Sequence, residues 1–70
     1  MTTATDRVHF VILTNHEGVI DREPTGYVCG LHDLAFACDL AAMHPGVTRG
    51  QVFAAENGEV RLVAQMAVVR

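Results

Sequence analysis

The stretch VTRGQVFAAENGEVRLVAQMAVVR, residues 47–70, decides how this chain is read. Asn57-Gly58 lies between two apolar runs. A type I′ hairpin turn needs two neighbouring residues that tolerate positive φ, and Asn-Gly is the pair that does so most readily. The stretch therefore reads as a hairpin, with strands over about residues 51–56 and 59–70. In the second arm Val60, Leu62, Ala64, Met66 and Val68 alternate with Arg61, Val63, Gln65, Ala67 and Val69. Side chains at that period point to opposite faces of a sheet. A small fold is expected to be built on this strand.

Upstream, residues 7–14 read as a strand rich in Val, Ile, Phe and Leu. Val8, Phe10, Ile12 and Thr14 face one way; His9, Val11 and Leu13 face the other. Both faces are largely apolar, which predicts a central strand. Residues 15–18 form a turn in which Gly18 supplies positive φ. Residues 19–23 make a short strand whose Asp21, Arg22 and Glu23 suit a sheet edge. Pro24-Thr25-Gly26 breaks it, and residues 27–30 either extend that strand past a bulge or connect onward. A helix is expected over residues 31–43, with Gly30 as N-cap and Asp33 in the first turn, where the helix dipole favours an acid. His44-Pro45-Gly46 stops it.

The order is strand, strand, helix, strand, strand. The expected class is α+β: a ββαββ four-stranded sheet with one helix on one face, over residues 7–70 as a single domain. Residues 1–6 are expected to be a disordered tail. A crossover of this length joins parallel strands. The simplest arrangement puts strands one and four side by side in the centre, in a β-grasp-like order 2-1-4-3. A mainly antiparallel sheet with the hairpins joined differently is the alternative.

Seventy residues, half of them hydrophobic, with no Trp and four aromatics, leave a core made mostly of Val, Ala and Leu. A chain this short buries roughly 60% of its unfolded surface and is marginal without a staple or a partner. Five arginines, no lysine and eight acids argue against nucleic acid, which needs a clustered basic surface. No apolar run approaches the ~20 residues of a membrane span. The N-terminus lacks the basic-then-apolar order of a signal peptide, so two free thiols in a reducing cytoplasm are expected.

The helix is apolar on two sides. Leu31, Leu34, Ala35, Cys38, Ala41 and Ala42 form one stripe at about 100° per residue. Phe36, Leu40 and Met43 lie roughly opposite, among His32, Asp33 and Asp39. The sheet doubles this excess: Val11, Leu13, Val63, Ala67 and Val69 share a face not used by Phe10, Ile12, Leu62 and Met66. Either the helix phase is rotated by a residue or two, or the surplus is an interface or a ligand groove. The expected interface has Phe36, Leu40 and Met43 at its centre, Asp33 and Asp39 on its rim, and Val63 and Val69 from strand four. Its occupant is expected to be a second copy.

Four residues invite a metal reading: Cys29, His32, Cys38 and His44. Along a helix His32 and His44 would sit about 18 Å apart at 1.5 Å per residue, too far for one zinc. Cys29 with His32 could form a half-site shared across a dimer. Cys38 reads more simply as a small core residue and His44 as a complement to the helix C-terminus. A Cys29–His32 nucleophilic pair lacks an orienting third group and a cleft. No cofactor, metal or enzyme activity is expected. His9 reads as a packed or rim histidine, and His16 and Glu17 as a solvated hairpin tip.

Over residues 31–70 the helix, its His44-Pro45-Gly46 stop and the Val-rich hairpin resemble small uncharacterised proteins common in GC-rich actinobacteria and their phages. That resemblance implies a small accessory protein, such as a phage-encoded modulator of a host protein, and assigns no residue a role. Three functions remain: a self-associating, non-catalytic binding module; a phage- or plasmid-type inhibitor docking on a host protein; and a small ligand- or metal-binding protein using Cys29 and His32.

Overall fold

The structure, a computed structural model, describes residues 7–69. The expected disordered tail, residues 1–6, lies outside the described residues, as does Arg70. Five elements follow one another: β1 (Val8–Asn15), β2 (Gly18–Pro24), α1 (Gly30–Ala42), β3 (Arg49–Glu56) and β4 (Glu59–Ala67). The turns form where the sequence places them. Asn57 has φ 53° and Gly58 φ 80°, so both central residues of the β3–β4 turn take the left-handed conformation that type I′ requires. In the β1–β2 turn the Asn15 side-chain oxygen accepts from the backbone N–H of Glu17 at 2.7 Å and of Gly18 at 3.1 Å, an Asx turn that sets the register.

The four strands form one α+β sheet of order β2-β1-β3-β4, with every neighbouring pair antiparallel. The order 2-1-4-3 is thus corrected: the antiparallel arrangement is the one adopted, with β1 beside β3. Because β2 and β3 both run antiparallel to β1, they are parallel to each other, and the helical crossover joins them across β1. A crossover implies parallel strands; it does not require them to be neighbours. The central position goes to β3 because its inward residues Gly50, Val52 and Ala54 are small and buried. Strand β4 is mostly exposed and lies at the edge, so the sheet is not built around it.

The core lies between α1 and one sheet face: Val11, Leu13, Val52, Ala37, Ala41 and Val47 are buried together, with Leu34, Phe36 and Leu40 packed against them. Two sequence expectations are corrected here. The helix turns Asp33, Ala37 and Ala41 inward, roughly 100° from the expected stripe, the step of one residue. Leu31 is 80% exposed instead. The sheet face under the helix is that of Val11 and Leu13, not that of Phe10 and Ile12.

Strand β4 divides between the two faces because of a bulge. Ala64 opposes Val52 and Leu62 opposes Phe53, so Val63 is the extra residue. One extra residue reverses the inside–outside alternation beyond it. Leu62 therefore lies on the face away from the helix, while Met66, opposite Gly50, reaches towards the core. Gly50 leaves room for it: a Cβ there would meet the Met66 Cε at 2.9 Å.

Candidate functional site

Two features stand out, one on each face of the sheet. Under the helix N-terminus, three polar residues are buried: His9, Thr25 and Asp33. His9 continues the inward row of Val11 and Leu13. Thr25, just past β2, donates its backbone N–H to the His9 carbonyl at 3.0 Å. Asp33 comes from the first turn of α1, which opens at Cys29 without a side-chain cap. The Thr25 hydroxyl donates to Asp33 Oδ1 at 2.7 Å, and His9 Nδ1 lies 2.5 Å from Asp33 Oδ2. Arg7 Nε donates to His9 Nε2 at 3.0 Å.

An arginine Nε–H can only donate, so His9 Nε2 is the acceptor and the ring proton sits on Nδ1, facing Asp33. Every link then points the same way: Arg7 to His9, His9 to Asp33, Thr25 to Asp33. Burying polar groups is unfavourable unless they are paired, and this cluster is paired throughout. Its structural effect is to tie the start of β1, the loop after β2 and the helix N-terminus into one unit. The Tyr27 and His32 rings close over the same end, 5.3 Å apart. Beside them, Arg7, Val8, His9, Pro24, Tyr27 and Val28 line a cleft of about 210 Å³.

The opposite face of the sheet is open. Reading across all four strands, Pro24, Phe10, Phe53 and Leu62 form one row. The Phe10 and Phe53 rings stack with centroids 5.7 Å apart. Val8, Ala55 and Val60 form the next row; on the other side lie Arg22, Ile12, Gln51 and Gln65. Among the described residues no other element lies over this face, and no Asp or Glu lies on it.

The residues expected to form an interface differ in burial. Asp33 is fully buried and cannot serve as a rim charge. Phe36, Leu40 and Val63 are half-buried against the core. Asp39 is exposed, as are Met43 and Val69, at 72% and 91%. Met66, Val68 and Val69 line a groove of about 270 Å³ with Cys38 and the end of the helix. Cys29 and Cys38 are exposed free thiols, so Cys38 is not the core residue it was expected to be. His44 lies 3.0 Å from Asp21, tying the end of the helix region to β2. Among the described residues no three His, Cys, Asp or Glu side chains are grouped to hold a metal, and no helix is long and apolar enough to cross a membrane.

Sequence reasoning missed the His9–Asp33–Thr25 cluster. The signal was present: a histidine in alternation with Val11 and Leu13 must be buried if they are, and a buried histidine needs a partner. Comparison with protein-family models, with curated proteins and with solved structures finds no match to this chain.

Proposed function

We propose that this protein is a small non-catalytic binding module that self-associates as a dimer, with the open face of its sheet against the same face of a second copy. The observation that carries this reading is the uncovered row Pro24–Phe10–Phe53–Leu62, flanked by Val8, Ala55 and Val60 on one side and by arginine and amide side chains on the other. An apolar centre with a polar margin is how protein interfaces are commonly built. Sheets pack face to face at a spacing of about 10 Å through such rows.

Size supports a second copy as the occupant. Four strands spaced by about 4.8 Å, each about eight residues long at about 3.3 Å per residue, present roughly 500 Å². Two copies would bury about 1,000 Å², the lower end of what a specific interface needs. Charge is compatible as well, since the apolar rows carry none that would repel their own kind. On this reading the interface lies on the sheet rather than on the Phe36–Leu40–Met43 side of the helix, and the packing of Phe36 and Leu40 against the core supports that choice.

The test is light scattering over a concentration series, on the wild type and on Leu62→Asp. Leu62 is 46% exposed at the edge of the row, so the variant is expected to fold and to be monomeric where the wild type is dimeric. A wild type that stays monomeric at its solubility limit would overturn self-association. The same face would then be left to a foreign protein, as a phage- or plasmid-type modulator of a host protein would use it.

A further inference from the structure

The cleft at the start of β1 has a property that the dimer reading does not use. Arg7 is exposed, yet its Nε is held by His9, whose ring is itself held by the buried Asp33. Among the described residues no carboxylate pairs with Arg7. With Nε engaged, the N–H groups on its two terminal nitrogens remain to donate. An arginine fixed at one nitrogen and unpaired at the others is pre-organised for a planar anion, because less side-chain freedom is lost when one binds.

The rest of the cleft is apolar. Val8, Pro24, Val28 and the Tyr27 ring line it, and Tyr27 is steadied by its contact with His32 and by its backbone N–H bond to the Thr25 hydroxyl oxygen at 3.0 Å. A cleft of about 210 Å³ has room for a molecule with one ring. A simple inorganic anion would leave the Tyr27 side empty. A neutral ring would make no use of the terminal nitrogens of Arg7.

We propose that this cleft binds a small organic carboxylate with an apolar or aromatic body. The carboxylate meets the terminal nitrogens of Arg7, and the body lies against Tyr27 between Pro24 and Val28. Asp33 is a positioning residue: it holds His9, which borders the cleft and aims Arg7. The proposal does not require the dimer, although Val8 and Pro24 border both the cleft and the open face of the sheet.

Benzoate is the probe, followed by amide chemical shifts in the full-length protein. Saturable shifts centred on Tyr27 and Val28 are expected, with a dissociation constant of about 1 mM. Acetate, inorganic phosphate and benzyl alcohol should each bind at least about tenfold more weakly, a difference of about 1.4 kcal/mol. Arg7→Gln should lose the benzoate response by a similar factor while the rest of its spectrum is unchanged. Arg7→Lys keeps the charge but has no Nε–H for His9, so it should also weaken binding; equal affinity in that variant would overturn the positioning role. The monomeric Leu62→Asp variant should bind at least as well as the wild type, since Leu62 lies on β4, two strands away from β1, and no second copy then borders Val8 and Pro24. Absence of a benzoate response, an undiminished response in Arg7→Gln, loss of response in Leu62→Asp, or phosphate binding as tightly as benzoate would each overturn the proposal.

Discussion

The two faces of this sheet are made by alternate residues of the same strands, and they divide the side chains against intuition. The face beneath the helix holds Val11, Leu13, Val52, Ala54 and Gly50, facing Ala37 and Ala41. The face without a helix holds Phe10, Phe53, Ile12 and Leu62. Within the sheet, both phenylalanines lie outside, while glycine, alanine and valine make up most of the row inside. A helix can approach a sheet closely only over small side chains, which explains the closed face. Nothing in that packing explains why the bulkier residues were left on the other side. The closed face also carries a fully paired polar cluster at one end, whereas the open face has stacked phenylalanines. The first is a finished interior. The second has the composition of an interior that lacks its other half.

The largest effect is expected on the closed face. Asp33→Ala would leave the His9 Nδ1–H without an acceptor in a buried site and would turn the Thr25 hydroxyl to its weaker alternative, the Tyr27 carbonyl at 3.1 Å. Removing one partner from such a site costs on the order of 3 kcal/mol. Denaturant unfolding should show a lower midpoint, by that loss divided by the slope, with the slope itself unchanged. The double variant Asp33→Leu with His9→Leu should recover part of the loss, because both polar groups are then gone. No loss in Asp33→Ala would mean that the cluster does not hold the closed face together.

On the open face the expected effect is smaller and of another kind. Burying a leucine side chain contributes about 2 kcal/mol, so Leu62→Asp should weaken dimerisation by at least about thirtyfold while the monomer unfolds as before. A large fall in monomer stability instead would mean that Leu62 belongs to the interior of a single chain, and the contrast between the faces would fail.

Much of this contrast was hidden in the sequence, for reasons that particular residues make plain. Each strand, the helix and both hairpin turns were legible, because Asn57-Gly58, Gly18 and His44-Pro45-Gly46 act locally. Strand order was not: an apolar second arm made β4 look central, and only the packing of small residues in β3 beneath the helix decides against it. Face assignment failed in β1 because both faces are apolar, so alternation separates Phe10 from Val11 without saying which is inside. It failed in β4 because the bulge at Val63 puts Leu62 and Met66 on opposite faces, and a bulge leaves no mark in an alternating run of Val, Leu and Ala. The polar cluster was out of reach for the same reason. Once Val11 is known to be inside, His9 must be too.

The hairpin turn gives a third, intermediate test, since it sets which residues of β4 reach which face. Gly58→Val places a β-branched residue at φ 80°, where it is strained. A loss of roughly 1 kcal/mol is expected, read as a lower thermal midpoint. Because the strain lies at the tip, the dimer should persist. A variant that keeps its stability but turns monomeric would show the turn acting on the open face through register rather than through strain.

The smallest effect is expected on the outer surface of the helix, and it separates the two candidate interfaces most cleanly. Leu31 and Met43 are among the most exposed large apolar residues of the chain, at opposite ends of the helix region. If a second copy covered this side, both would be natural anchors, and Met43 belongs to the interface that the sequence pattern suggests. If the sheet face is covered instead, both remain in water, and exchanging them for acids changes little. Surface substitutions of that kind usually stay within about 0.5 kcal/mol. Leu31→Asp combined with Met43→Asp should therefore leave both the thermal midpoint and the solution mass as in the wild type. Neither site lies in the first helical turn's buried cluster, so the added charge does not face Asp33 from within the core. A monomeric double variant beside a still-dimeric Leu62→Asp would reverse the assignment: the large residues of the open sheet face would then be solvent-exposed, and the helix would carry the contact.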